Sequence, residues 1–317
     1  RVSTDFAGVR PATRARVQEA MRQVGYVPNS AARALKRGSF RTIGIVAHQL
    51  ARTGESSTVE AVVESARKRR LGITLVDVQS PTTQEVNAAA AGLASLSVDG
   101  LIIIRAESVS PDELTLPARV PVVVSDSHFA GHYPAVATDQ RSGTRQAVEH
   151  LLQLGHRTVT HVGGPASSLP AIERESAWRE RLQEAGSQVP EVLHSDWSAA
   201  SGFQIGTALV PRIRSGEITA VFCANDQVAL GLYRAIHEAS LRIPADVSVV
   251  GFDDIPEAAQ FWPPLTSVAQ DFHAVGKQLV TMLDEQITSG QSPGEHVLLP
   301  VELMVRASTG PPPSAGQ

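Results

Sequence analysis

From Arg41 onward, short β-branched apolar runs alternate with stretches whose apolar residues recur every three or four positions. TIGIVAHQL, ITLVDVQ, DGLIIIRA and VPVVVSDS predict buried parallel strands. Between them, STVEAVVESARKRRLG predicts a helix with Val59, Val62, Val63 and Ala66 on one face. The alternation restarts after SGTRQAVEHLLQLG, with TVTHVGG, EVLHSDW, ITAVFCAND and VSVVGFDD as strands and AIERESAWRERLQEAG, SGFQIGTALVPRIRSG and QVALGLYRAIHEASL as helices. This is an α/β pattern of two doubly wound parallel-sheet units, each of ordinary domain size.

Two helices are predicted ahead of this body. Pro11 to Val24 carries Val17, Ala20, Met21 and Val24 at helical spacing, with Gly25 to stop it. In YVPNSAARALKRG, residues 26–38, Asn29 is a candidate N-cap and Gly38 a candidate left-handed close. The apolar content of that second helix is alanine plus Leu35, and a helix so short is marginal in water until it docks on something.

In open α/β sheets ligands bind beyond the carboxyl ends of the strands. The polar and glycine residues that follow apolar runs are His48, Ser125, Asp126, Gly163, Gly164, Asn225, Asp226, Asp253 and Asp254. Asp and Asn at such positions also cap the next helix. Their recurrence in both units points to a ligand cleft between them.

Charge adds a second partner. Residues 1–41 hold nine Arg and Lys against two acidic residues, while the rest holds nineteen against thirty, so a basic head sits on an acidic body. That is the pattern of a chain that meets a polyanion at one end, and a solvated basic arm shows the same charge. The single cysteine, Cys223, excludes an internal disulfide framework and a cysteine-based zinc cluster, and reads as a buried small hydrophobe. No metal or cofactor is expected. No apolar run approaches the roughly 18 residues of a membrane span, and RVSTDFAGVR has no signal-peptide core, so a cytoplasmic protein without membrane contact is expected.

The segments TRARVQEAMRQVGYVPNSAARAL, PNSAARALKRGSFRTIGIV, VEHLLQLGHRTVTHVGGP, DWSAASGF, ANDQVALGLYRAI, IPADVSVVGFDD and WPPLTSVAQDF together resemble the lactose repressor family of bacterial transcription regulators. The resemblance implies a sugar-responsive repressor with a periplasmic-binding-protein-like core. Residues 1–28 would be a partial helix-turn-helix headpiece, 29–40 a hinge helix and linker, and 41–317 the effector-binding and dimerisation core. Within that core, an N-subdomain would take about 41–137 plus 271–297, and a C-subdomain about 138–268 plus 298–317. Paired hinge helices of a homodimer would fold in the minor groove of operator DNA, with Leu35 as an apolar wedge between base pairs. The implied DNA contacts are Arg1, Tyr26, Asn29, Ala32, Arg33 and Leu35, with Arg10 near a phosphate. The implied effector contacts are Asp126, Arg174, Asn225 and Asp253 to sugar hydroxyls, Trp197 stacking on a pyranose face, and Phe272 as a wall.

Several positions depart from the family. The sequence begins near the end of the recognition helix, so weak, salt-sensitive DNA binding is expected of it. Arg10 stands where a serine cap is common. Ile104 replaces an asparagine, His48 a serine beside the effector, and ARTGESS, residues 51–57, is unlike the corresponding loop. A galactoside is the expected ligand, with another glycoside as the alternative, and induction and corepression both remain open. The Pro-rich tail VELMVRASTGPPPSAGQ does not suit a coiled coil, so a dimer is expected. A sugar receptor without DNA function is the alternative reading, against which the basic head and its wedge-bearing helix stand. No catalysis is expected: hydrolases need two carboxyls facing one bond about 5 to 9.5 Å apart, whereas Asp253 and Asp254 on an extended strand end would point to opposite faces.

Overall fold

The computed structural model describes residues 10–26, 39–79, 82–104, 120–125, 133–290 and 296–313. Helix α1 (Pro11–Gln23) leads, with Arg10 at its N-cap position making no capping hydrogen bond and proline at its start. None of its residues is buried, and Val24 after it is 77% exposed.

The first sheet holds β1 (Thr42–His48), β2 (Gly72–Val78), β3 (Gly100–Ile104), β4 (Val122–Ser125), β5 (Ala135–Thr138) and β11 (His296–Leu299), in the order β11-β5-β4-β3-β1-β2, all parallel. Alternation along β1 feeds two cores. Ile43, Ile45 and Ala47 pack with Val62 and Ala66 of α2 (Thr53–Lys68) and Leu279, Val280 and Leu283 of α8 (Phe272–Ser289). Val46 packs on the other side with Val86, Ala90 and Leu93 of α3 (Thr83–Ser95). Both faces of the sheet are thus covered, as a parallel sheet requires.

Two expectations shift here. The buried stripe of α2 runs through Thr58, Ala61, Val62, Ser65 and Ala66, so Val63, turned about 100° from Val62, is 43% exposed rather than in the core. Strand β2 is an edge strand and is half-exposed along most of its length.

The second sheet repeats the plan with β6 (Thr160–Gly163), β7 (Leu193–His194), β8 (Ala220–Cys223), β9 (Ser248–Asp253), β10 (Thr266–Ala269) and β12 (Glu302–Met304), in the order β12-β10-β9-β8-β6-β7, with only β12 antiparallel. On one side α6 (Ala199–Arg214) and α7 (Asp226–Glu238) cover Val221, Cys223 and Val249. On the other, α4 (Gln140–Gln153) and α5 (Leu169–Glu184) cover Phe222, Val250 and Phe252. Cys223 is fully buried, and burial pushes its thiol pKa up.

The chain crosses between the sheets three times: after β5 into α4, after β10 into α8, and between β11 and β12 at residues 300–301. The opposite end of the first sheet receives the segment that begins at Ser39. There Asp99 takes hydrogen bonds from Ser39 Oγ at 2.8 Å and from the N–H groups of Phe40 and Arg41 at 2.7 and 2.5 Å. Among the described residues no helix is long and apolar enough to cross a membrane.

Candidate functional site

A cavity of about 370 Å³ opens between the two halves at the carboxyl ends of their strands. Arg174, Trp197, Asn225 and Asp253 line it together. Each reaches it for a local reason. Asn225 follows β8 and caps α7, its Oδ1 accepting from Val228 N at 2.8 Å while its Nδ2 donates to the Trp197 carbonyl at 3.2 Å. The capping role and the cleft role therefore coincide.

Trp197 has φ 73°, in the left-handed region that costs an aromatic residue roughly 1–2 kcal/mol. Its ring lies against Gly164, where a Cβ would come within 2.6 Å of ring carbons, so glycine is what lets the indole seat. Trp197 is 6% exposed and its indole N–H has no partner among the described residues.

Arg174 is 1% exposed, and much of its fork is already engaged by the protein. Nε donates to Gln140 Oε1 at 2.7 Å, Nη1 donates to the Ala224 carbonyl, and Nη2 lies 3.6 Å from Asp253 Oδ1. Its guanidinium carbon is 3.8 Å from the Phe252 ring centroid and 5.4 Å from that of Trp197. Gln270 donates to Asp253 Oδ1 at 2.6 Å and also accepts from Thr138 and Gln140. Thr138, Gln140 and Gln270 sit at two of the three crossings, so one buried network joins the cavity's charged pair to the junction between halves.

On the other side of that network lies a small cavity of about 50 Å³, lined by Phe272, Ile104, Ser125, Gln140 and Gln270 among others. Phe272 lines this smaller cavity rather than the larger one. His48 lines neither. It is buried at the carboxyl end of β1, its Nδ1 paired with the Val78 carbonyl at 2.8 Å. The expected new donor beside the effector is therefore turned into the strand pair, because β1 and β2 run in register to their last residues. Asp126, and of the DNA-facing residues Arg1, Asn29, Ala32, Arg33 and Leu35, lie outside the described residues. Tyr26 is 55% exposed.

The opposite wall comes from residues the sequence pattern did not single out: Gln49, Arg52, Thr53 and Glu55, facing Asp196 and Gln227. Gln227 Nε2 donates to Thr53 Oγ1, a bond between the halves. Hydrogen bonds from the Ser198 and Ser201 hydroxyls and the Ser198 N–H hold Asp196 down to about 2, so it stays an ionised acceptor. Asp226, fully buried behind Asn225, has its carboxyl pKa pushed well up by burial and by the nearby Asp253. It accepts from Ser267 Oγ and Ile255 N at 2.6 and 2.9 Å and serves the structure.

Asp253 and Asp254 are not extended: their φ values are 103° and 51°. They still diverge, Asp253 to Gln270 and Arg174, Asp254 to Arg306 at 2.6 Å. Among the described residues no group of His, Cys, Asp or Glu side chains is placed to hold a metal ion. The arrangement is one of fixed donors and acceptors around an aromatic face, which is suited to binding a polyhydroxylated molecule.

A family model described as a periplasmic binding protein-like domain matches residues 148–309. The lactose operon repressor of Escherichia coli (strain K12) is 34% identical over 317 residues, covering 98% of this chain and 86% of the relative. A crystal structure of the lac repressor dimer bound to operator and the anti-inducer ONPF superposes with a TM-score of 0.85 at 33% identity, covering 98% of this chain and 94% of that one. A complex of the transcriptional regulator CelR with cellobiose gives a TM-score of 0.77 at 29% identity, covering 97% and 94%.

Proposed function

The chain belongs to the lactose repressor family of transcription regulators, and from that premise we propose that it represses transcription as an operator-bound homodimer and releases DNA when a small carbohydrate fills the cavity between its halves. The observation that carries the sugar part is the convergence of Arg174, Trp197, Asn225 and Asp253 from separate elements on one cavity that both halves complete. A buried array of this kind rejects molecules lacking the matching hydroxyls. The DNA part rests on similarity that extends over 98% of the chain, including the basic N-terminal segment that a sugar receptor without DNA function does not need.

In the mechanism we infer, the ligand favours one angle between the halves, the N-terminal halves of the dimer shift relative to each other, and the paired segments that follow α1 no longer fold together on DNA. Coupling is reciprocal, so operator DNA weakens effector binding by the factor by which effector weakens DNA binding. Catalysis has no place in this reading, since Asp253 and Asp254 are each tied to different partners.

Calorimetric titration with a panel of galactosides and glucosides, beside Arg174→Ala, tests the reading. Binding of one sugar class that Arg174→Ala abolishes is expected, with a galactoside the leading ligand. Failure of every sugar to bind would remove the carbohydrate effector and leave the regulator family standing.

A further inference from the structure

Helix α2 reaches both ends of the first half. Its first turn, with Thr53 and Gly54, lines the cavity, and Thr53 Oγ1 accepts the hydrogen bond from Gln227 of the other half. Its sixteen residues run about 24 Å at 1.5 Å each. At the far end the carbonyls of Arg69 and Arg70 lie beyond the last helical residue, where a helix has acceptors to spare. One side chain takes both. Arg41 donates from Nη2 to the Arg69 carbonyl at 2.6 Å and from Nε to the Arg70 carbonyl at 3.3 Å.

The backbone of Arg41 is held on two further sides. Its N–H donates to Asp99, just before β3, and its carbonyl accepts from Gly72 N at the start of β2, at 2.7 Å. Arg41 has φ 53°, a left-handed conformation that glycine takes without cost and any other residue takes under strain. A glycine would keep both backbone bonds. What the arginine adds is the planar fork that spans two carbonyls of α2.

The helix it grips is stiff. Gly276 of α8 sits so close to α2 that a Cβ there would lie 2.5 Å from Ala61 Cβ and 2.9 Å from the Thr58 carbonyl oxygen. Towards the end where Ser39 enters, Arg69 donates to Ser65 Oγ and Thr281 Oγ1, both at 2.8 Å, and its Nε lies 3.5 Å from Asp284. The two helices are thus one body, and α8 starts at the crossing that follows β10. A change in the angle between the halves tilts that body and carries the Arg69 and Arg70 carbonyls with it.

We propose that Arg41 is a positioning residue of the switch: its guanidinium ties the segment leading to the DNA-binding end onto α2, so that motion at the cavity reaches that segment through one side chain. The proposal deepens the repressor reading above, and its test uses neither DNA nor effector, so the two can fail separately. In the full chain, hydrogen exchange of the residue 40 and 41 amides, both bonded to Asp99, is followed by NMR. Thr53→Ala removes the Gln227 bond at the cavity end, a loss of about fivefold in a local opening equilibrium. With Arg41 present it speeds exchange of the two amides by about threefold or more. With Arg41→Leu or Arg41→Gly the same substitution changes their exchange by less than about 1.5-fold. Leucine keeps the left-handed strain and glycine releases it, so the shared loss belongs to the guanidinium and not to the backbone. No response to Thr53→Ala with Arg41 present, or a response that persists in either Arg41 variant, overturns the proposal and leaves the effector and DNA readings standing.

Discussion

Replacing Arg174 with leucine strikes the most connected point of the cleft. The change removes the bonds to Gln140 and Ala224, the contact with Phe252, and the positive partner of Asp253, which is only 8% exposed. Asp253 keeps the Gln270 hydrogen bond but loses the Arg174 guanidinium beside it. Breaking one side of a buried ion pair costs about 3–5 kcal/mol. The two orphaned acceptors overlap with that figure rather than adding fully to it. A loss of about 4 kcal/mol is therefore expected, or a fall in Tm on the order of 10 °C for a chain of this size. The cause is separable from lost packing by a cycle. Asp253→Asn removes that carboxylate's charge, so the Arg174→Leu, Asp253→Asn double variant recovers roughly 2 kcal/mol of what the single Arg174→Leu loses. Urea unfolding followed by circular dichroism at neutral pH reads both quantities. A single-variant loss below about 1 kcal/mol, or a double variant no more stable than Arg174→Leu, would refute the claim that this pair and its network hold the cleft together.

Gly164→Ala pushes a methyl into the Trp197 ring at 2.6 Å; overpacking of this kind costs about 1–3 kcal/mol, and the variant should show a shifted tryptophan emission and weakened effector binding, whereas wild-type emission and affinity would mean that the indole does not rest on Gly164. Burial lowers the pKa of His150, His156 and His161, the last to about 4. The fold thus favours neutral rings, and their contribution is present above the ordinary value of 6.5 and lost as pH falls through it toward 4. Unfolding free energy should drop over that interval, less steeply in His161→Phe, and an equal slope in both proteins would count against the assignment. Asp99→Ala frees Ser39, Phe40 and Arg41 from the base of the first sheet. Effector affinity measured without DNA should change less than twofold while the effector-dependent release of operator weakens, and intact release would show that Asp99 is not part of the coupling.

The long apolar runs were legible because a strand buried on both faces leaves an uninterrupted β-branched signature, as in DGLIIIRA and VSVVGFDD. The four strands not singled out, β5, β10, β11 and β12, have three or four residues each and sit beside the crossings. The pattern gave EVLHSDW full strand length, but only Leu193 and His194 pair. At the cleft, residues directly after strand ends were visible by position. The wall formed by Arg52, Thr53 and Glu55 was not, because in the first turn of an amphipathic helix a polar residue facing a cavity and one facing solvent look alike in sequence. His48 shows the converse: the strand-end rule marks it, and only the register of β1 on β2 reveals that its ring nitrogen is spent on Val78.

Three side-by-side connections between the halves allow bending and twisting and resist sliding, so they behave as a mechanical hinge with essentially one soft axis. The network of Thr138, Gln140 and Gln270 lies at that axis, and Asp99 lies at the far end of the first sheet. A seven-residue strand such as β1 is a lever of roughly 23 Å. Rotation by about 10° at the axis would carry its far end through roughly 4 Å. A ligand near the fulcrum thus trades a small displacement under high force for a large displacement under low force. The gearing suits a protein whose far end must come out of register with a groove, and it means that stiffening the fulcrum would lower the throw without touching either binding surface.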